Sequence, residues 1–581
     1  MERKSEADQA PCVKPWSQTK SSVVNGGKER GTVVSVPSPS EVQATFCATL
    51  VDELVRHGLR DAVICPGSRS TPLALALHAH ELVASHVRVD ERGAGFFALG
   101  MALATKRPVL VLVTSGTAAA ELHAAVAEAD QSHVPLLIVT ADRPPELHGV
   151  GAPQTMPQRD LYGVMVRHFE EPGVARVEAA ASWRPLASRL WAAAANGPVH
   201  VNAAFIEPLV AEPLPIPEGR AAGAPWRFTA TQERDALDAN FADRRVLVVA
   251  GGLAGENGWL AELCERAGWA LIGDVMVQGG LAYADGFLRH DEFAAMMRPD
   301  LVLRVGRLPA SKVLQQRLRE WESPTIGLTA FGPVADPDGL LGRLSDAKNF
   351  RDAAGLRSYR ELWLAVEARG HQQFAGLDFA SGALTETSIA RRVVASSNET
   401  GRALVVGSSM PVREVEWFAH ARRAPVFSNR GVNGIDGVLS TTFGVATALG
   451  GALGLVGDVT FMHDVSALVD QPRVATTLVV VDNDGGHIFD FLPQHASVDA
   501  SAFAELFTTA RHVDVSRVAA GFDCAVHRVR TVGELDEALA TSAVHPGVSV
   551  VVAYPTIETT TKDFHSWLDR ATSRVANEFL S

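Results

Sequence analysis

Cysteine is scarce in this 581-residue chain: Cys12, Cys47, Cys65, Cys264 and Cys524 are odd in number and show no CxxC spacing. That excludes a disulfide framework and a thiolate zinc site, and it fits a reducing cytoplasm. Basic charge is also short, with 53 Lys and Arg against 66 Asp and Glu for a formal net charge of −13. Such a balance argues against a general nucleic-acid or anionic-membrane surface but leaves room for a local basic pocket around a small anion. Long apolar runs are missing too. The only extended uncharged stretch, Gly437 to Gly457, is broken by glycines and threonines and leads straight into an acidic turn, so it reads as a buried helix and strand. No apolar signal-peptide core appears near the start. Gly251-Gly252-Leu253-Ala254-Gly255, after the strand expected at Arg245 to Ala250, lacks the spacing and the acidic partner of a dinucleotide fingerprint. These absences leave small molecules and copies of the chain itself as the expected partners, with no nucleic acid and no membrane insertion.

With 47% hydrophobic and 20% charged residues the chain is globular in composition. At about 100 to 200 residues per domain, the length predicts three or four domains. Residues 1–37 mix Lys, Glu, Ser, Gly and Pro without apolar periodicity, which predicts a disordered tail. Order is expected from Ser38-Pro39-Ser40, a helix start followed by Val42, Phe46, Leu50 and Leu54 at helical spacing. Short apolar strands then alternate with helical patterns, which predicts parallel α/β sheets. A Pro-, Gly- and Ala-rich stretch from Leu209 to Pro225 and a looser stretch from Gly339 to Gly370 divide the rest into 38–212, 213–384 and 385–581.

Two turns near the end carry the strongest signal. Leu453 to Val456 leads into Gly457-Asp458, and Thr477 to Val481 leads into Asp482-Asn483-Asp484-Gly485-Gly486, with a helix expected between them at Phe461 to Asp470. Such a strand, helix, strand unit places both turns at the carboxyl ends of neighbouring strands, where open α/β sheets bind ligands. Asp458 and Asp484 are hard oxygen donors, and Mg²⁺ keeps few protein ligands when phosphate oxygens complete its shell. Each turn alone is more often a helix cap or an ordinary Asp-Asn-Gly turn; the pair reads as a diphosphate-bridging Mg²⁺ site.

Other turns are individually weak. Pro66 to Pro72 offers N–H groups, the Ser68 hydroxyl and the Arg69 guanidinium, a set suited to a carboxylate or phosphate. Asp90-Glu91-Arg92 follows an expected strand at Val87 to Val89, and helix capping is the commoner reason for such a triplet. Ser115, Gly116 and Thr117 follow the strand Val109 to Val113, either as plain turn chemistry or as a cofactor wall. Arg304, Arg307 and Lys312 read by default as solvated bases. Arg413 in Ser408-Ser409-Met410-Pro411-Val412-Arg413 and Arg430 in the loop Ser428 to Gly437 sit at the same sheet end as the acidic turns and suggest a pocket for a multiply charged acid.

The Gly-Asp turn with its Asn-containing partner resembles the signature of thiamine diphosphate enzymes. Together with CPGSRSTPL, VDERGAGFFALGMA, TADRPPEL, GAPQT, SSMPVRE, SNRGVNGIDG and DNDGGHIFDFLP, all in order, it resembles the 2-succinyl-5-enolpyruvyl-6-hydroxy-3-cyclohexene-1-carboxylate (SEPHCHC) synthase family of menaquinone biosynthesis from about residue 38 onward. The resemblance implies three parallel-sheet α/β domains of the thiamine diphosphate-dependent decarboxylase type: pyrimidine-binding, central and diphosphate-binding. It implies a cytoplasmic homodimer or homotetramer with active sites between subunits, decarboxylating 2-oxoglutarate and adding the succinyl carbanion equivalent to isochorismate. It makes Glu91 the catalytic carboxylate on the cofactor's pyrimidine, and Asp458, Asp484 and the Gly486 carbonyl the metal ligands. Ser115, Gly116, Thr117, Ser409, Met410, Ile435, Gly457 and Ile488 fall at cofactor positions. Ser68, Arg69, Arg143, Gln154, Lys312, Ser409, Arg413, Arg430, Phe489 and Leu492 fall at substrate positions. This chain has Asn483-Asp484 where many relatives carry Asn-Asn, and Val313 where a second base commonly follows the lysine. The competing expectations are another thiamine diphosphate enzyme acting on a 2-oxoacid, against which the number of arginines speaks, and a non-catalytic nucleotide-binding or regulatory protein on the same scaffold.

Overall fold

The runs Val109–Val113, Thr476–Val481 and Val548–Ala553 are buried along their whole length, a pattern that strands show when helices cover both faces of their sheet. In the computed structural model they belong to three sheets in which every pairing is parallel. The structure describes residues 36–227, 241, 243–337, 339–346, 354–374, 383–556 and 561–581, so all but the last two residues of the tail expected at 1–37 lie outside the described residues.

The first sheet holds β1 (Asp61–Ile64), β2 (Ala84–Val87), β3 (Val109–Val113), β4 (Leu136–Asp142), β5 (Phe169–Glu170) and β6 (Val199–Ala204) in the order β2-β1-β3-β4-β6-β5. The second holds β7 (Val246–Gly251), β8 (Ala270–Gly273), β9 (Leu301–Gly306), β10 (Thr325–Leu328) and β11 (Arg343–Ser345) in the order β11-β10-β9-β7-β8. The third holds β12 (Ala403–Val406), β13 (Val426–Phe427), β14 (Ala452–Gly457), β15 (Thr476–Val481), β16 (Ala525–Val529) and β17 (Val548–Ala553) in the order β13-β12-β14-β15-β17-β16. The first and third sheets therefore share one winding. In each, the chain reverses direction across the sheet beside its first strand, between β1 and β3 and between β12 and β14, and a crevice opens at the carboxyl ends there.

One buried cluster joins these two sheets, with Val63, Val111 and Ile138 of the first packed in the same core as Leu478, Val480 and Val550 of the third. The join is made by the helices Glu91–Thr105 and Val438–Leu449. They touch backbone to backbone: a Cβ on Gly100 would lie 2.2 Å from the Thr441 carbonyl oxygen, and one on Gly444 would lie 2.0 Å from that of Phe97. The second sheet has its own core around Phe293, Trp363 and Val366, and the helix Thr561–Leu580 returns to it with Leu568, Ala571, Val575 and Ala576. Among the described residues no helix is long and apolar enough to cross a membrane. Cys47, Cys65, Cys264 and Cys524 are buried free thiols.

Three local expectations shift. The strand expected at Val87 to Val89 lies earlier, at β2, because pairing with β1 ends at Ile64↔Val87 and Arg88 turns inward over the Phe97 ring, 3.6 Å from its centroid. The helix expected at Phe461 to Asp470 is an α-helix at Asp458–His463 followed by a 3₁₀ stretch at Val465–Asp470. The break falls at Asp464, whose carboxylate accepts from the Ser440 N–H at 2.7 Å. Arg304 is not a solvated base: it is 1% exposed and donates to the Ala335 carbonyl at 3.0 Å.

Candidate active site

β14 and β15 pair in register from Ala452↔Thr476 to Gly457↔Val481, so the next residues, Asp458 and Asp482, emerge side by side at the carboxyl edge. Asp458 opens the Asp458–His463 helix and lines a cavity of about 320 Å³ at the third sheet's crevice. Its carboxyl is pushed up to about 6 by burial and by the charges of Asp482 and Asp484, against the N–H groups of Val459 and Gly485. Carboxylates crowded this way favour a cation.

The 482–486 turn is held from outside. Gly486 N–H donates to the Thr508 carbonyl at 2.8 Å, and a Cβ on Gly485 would strike the same oxygen at 2.2 Å, so only glycine fits there. Asn483 faces the cavity and donates to Glu386 at 2.6 Å. His487 bridges the Asn483 carbonyl at 3.0 Å and Asp490 at 2.8 Å. Asp484, at a left-handed φ of 60°, pairs with His512 Nδ1 at 2.6 Å and does not line the cavity. Among the described residues no three His, Cys, Asp or Glu side chains form a metal-holding group. The site instead offers the Asp458 carboxylate and the Gly485-Gly486 backbone, the sparse protein set on which Mg²⁺ with phosphate oxygens relies.

The opposite wall follows β12. Ser409 has a positive φ of 74° and immediately precedes the helix Met410–Phe418 without a side-chain capping bond, and the helix's first residue also faces the cavity. Ser408 Oγ is buried there without a hydrogen-bond partner, and Ile435, Gly457, Ile488 and Phe489 complete the lining. An unpartnered hydroxyl, an amino-terminal helix turn and a carboxylate short of countercharge fit a diphosphate held by a divalent cation.

Ile488 also lines a second cavity of about 340 Å³, with Lys312, Arg413, Glu416 and Leu492. Arg413 is tied to the Ser409 carbonyl at 2.6 Å. Glu416 accepts from the Val275 N–H at 3.1 Å and is pushed up to about 7 by burial and the nearby Asp274 charge, against Arg430 and Arg422. Arg430 is half-buried.

The first sheet holds the remaining positions in its own crevice. Arg143 donates to Ser115 Oγ, which in turn donates to the Gln154 carbonyl at 3.0 Å. Gly116 N–H meets Gln158 at 2.8 Å, and Thr117 starts the helix that follows. Arg143 lines a cavity of about 720 Å³, whereas the Gln154 side chain is exposed. Arg69 is paired with Glu207 at 3.1 Å, beside the exposed-side turn that carries Ser68. Glu91 lines neither cavity beside the third sheet. Its neighbours are engaged: Asp90 caps the helix through the Gly93 N–H at 3.3 Å, and Arg92 donates to the His463 carbonyl at 2.8 Å. The Glu91 side chain has no such bond among the described residues.

Thus one chain brings together the positions expected for the diphosphate side, apart from the Asp484 side chain, and, adjoining them, Lys312, Arg413 and Leu492. It leaves Ser68, Arg69, Glu91, Ser115, Gly116, Thr117, Arg143 and Gln154 in the first sheet's region. Sequence reasoning passed over Ser408, Glu386, Asn433 and Glu416. The doubled serine after β12 is the available signal for Ser408; Glu386 and Glu416 cannot be told by sequence from ordinary helix acids.

The family described as "Thiamine pyrophosphate enzyme, N-terminal TPP binding domain" matches residues 44–162. The chain is 42% identical to the 2-succinyl-5-enolpyruvyl-6-hydroxy-3-cyclohexene-1-carboxylate synthase of Thermobifida fusca over 518 residues, 84% of this chain and 92% of that one. It is 38% identical to the synthase of the same name from Myxococcus xanthus over 539 residues, 85% and 91% of the two chains. With that from Listeria monocytogenes the identity is 34% over 580 residues, 88% and 94%. Identity at this level across nearly the whole length, with the cavities lined as above, means that the chain belongs to the 2-succinyl-5-enolpyruvyl-6-hydroxy-3-cyclohexene-1-carboxylate synthase family of thiamine diphosphate enzymes.

Proposed function

We propose that the chain decarboxylates 2-oxoglutarate and joins the succinyl unit to isochorismate by 1,4-addition, giving SEPHCHC and CO2 in menaquinone biosynthesis, in the cytoplasm. The observation that carries this reading is the adjacency of two cavities through Ile488: one suited to a diphosphate and its cation, the other carrying Lys312 and Arg413 for a dicarboxylate. Thiamine diphosphate, when bound, supplies the electron sink that a 2-oxoacid needs to lose CO2. The chain's own groups bind and orient. Asp458 and the Gly486 carbonyl hold Mg²⁺ or Mn²⁺, joined by Asp484 when its carboxylate swings away from His512, Ser409, Met410, Gly457, Ile435 and Ile488 seat the cofactor, and Phe489 and Leu492 exclude water. Arg413, Arg430 and Lys312 take substrate carboxylates, and an Arg–carboxylate hydrogen bond is worth about 1.5 to 3 kcal/mol.

Glu91 holds a proton against the cofactor's pyrimidine, while Ser68, Arg69, Ser115, Gly116, Thr117, Arg143 and Gln154 close the site from the first sheet's crevice of a second copy. A homodimer or homotetramer is the assembly that unites the two sets. The domains are then 38–212 for pyrimidine, 213–384 as the central unit and 385–581 for diphosphate.

The deciding assay is CO2 release from 2-oxoglutarate with thiamine diphosphate and Mg²⁺, with and without isochorismate, alongside mass detection of the adduct. Release strongly stimulated by isochorismate, with the adduct, is expected. Equal release without an adduct would mean a simple decarboxylase, and no release would mean a non-catalytic protein.

Glu416 adds a pH signature. Its carboxyl is raised, so it is neutral below about 7 and negative above. The new charge faces Arg413 and Arg430 beside Asp274 and Arg422, so it competes with the substrate carboxylate. KM for 2-oxoglutarate is expected to rise as pH climbs through this value and to flatten in Glu416→Gln; a profile identical in the two proteins would contradict this.

A further inference from the structure

The loop from Ser428 to Gly437 carries Asn433 and Ile435 on the wall of the first cavity and Arg430 on the wall of a further cavity of about 220 Å³, from which its charge still acts on Glu416 and Arg413 of the second. Ser428 is tied to the Val406 carbonyl at 2.6 Å and Asn429 to Thr441 at 3.1 Å, but the tip is held from elsewhere. Glu128, on the His123–Ser132 helix beside the first sheet, is 1% exposed. Its Oε1 accepts the Gly431 N–H at 2.6 Å and the Ser132 hydroxyl at 2.8 Å, and its Oε2 accepts the Val432 N–H at 2.7 Å. From the carboxyl end of β9, the middle strand of the second sheet, Arg307 donates to the Gly431 carbonyl at 2.8 Å and to the Gln131 carbonyl at 2.6 Å. A Cβ on Gly431 would lie 2.7 Å from both Glu128 Oε1 and Ser132 Oγ, so a glycine is required for the approach.

A buried carboxylate is expensive, and surface N–H groups find water without one. Val432 is 51% exposed, so the carboxylate reaches the loop where it comes to the surface. What the carboxylate adds is direction: two oxygens fix two consecutive amides at once. We propose that Glu128 is a positioning residue of the active site, setting the Gly431–Val432 peptide so that Arg430 meets the substrate carboxylate. This rests on reading Arg430 as a substrate contact. Glutamine has the same shape but one acceptor oxygen, so its NH₂ group would confront either Val432 N–H or Gly431 N–H, donor against donor.

The test is a double-mutant cycle on the full-length enzyme with Glu128→Gln and Arg430→Gln, reading KM for 2-oxoglutarate, kcat and melting temperature. Glu128→Gln is expected to raise KM by about tenfold with a much smaller change in kcat, the size of one lost charge-assisted hydrogen bond. In the Arg430→Gln background it is expected to add little, as for residues acting through one contact. An unchanged KM in Glu128→Gln, with Arg430→Gln impaired, overturns the positioning role alone. A normal KM in Arg430→Gln overturns the reading of Arg430 and this proposal with it. Additive effects with a lowered melting temperature would make Glu128 a general structural residue and overturn the proposal. Hydrogen exchange in the unaltered protein decides independently of whether the variants fold: slow exchange of the 431 and 432 amides is expected, and exchange as fast as an open loop overturns it.

Discussion

Replacing Asp458 by alanine is expected to raise the Kd for thiamine diphosphate at fixed Mg²⁺ by about 100-fold or more, since groups that merely orient a metal ligand are worth about 10- to 100-fold. Asp458 is the carboxylate that faces the diphosphate-side cavity from the β14 turn, and its raised affinity for protons marks a negative site in want of a cation. Its neighbours do not take its place: Asp484, paired with His512, is already counted among the proposed ligands, and Asp482 does not line the cavity. Cofactor titration at several Mg²⁺ concentrations checks this. A curve unchanged from the parent protein would refute the metal assignment, whereas a curve restored by high Mg²⁺ would confirm that the cation is what was lost.

Glu91→Gln should behave oppositely, with cofactor affinity close to that of the parent and turnover down by about 100- to 10,000-fold, the range for a positioned acid or base. The structural reason is division of labour at the start of the Glu91–Thr105 helix. Asp90 performs the capping and Arg92 ties the helix to the 463–464 turn, so the Glu91 carboxylate is spared from holding the fold. Steady-state kcat beside a direct binding titration separates the two effects; near-normal turnover would remove the proposed role.

How much of this was legible in the sequence depended on whether a residue's partner is near it in the chain. β3 and β15 were readable because a short, valine-rich apolar run is what a strand covered on both faces requires. The Gly457-Asp458 and Asp482 to Gly486 turns were readable because parallel strands in register must deliver them together. The placement of β2 was not, since an edge strand is set by the register of its one neighbour and Ala84–Val87 carries little apolar signal. Arg304 and Arg307 looked solvated because the carbonyls they bond, of Ala335, Gln131 and Gly431, lie in other segments. Glu128 was invisible for the same reason. In HAAVAEADQS it looks like a helix acid facing water, and only the folded chain shows Gly431 and Val432 against it.

The return of the Thr561–Leu580 helix to the second sheet bears on how the protein is made. A ribosome delivers β7 to β11 long before it delivers Leu568, Ala571, Val575 and Ala576, which complete the core around Trp363 and Phe293. The whole third sheet is synthesised in the interval, so the nascent chain carries an uncovered apolar face while its neighbour folds. Such a face is a natural target for chaperones and a route to aggregation.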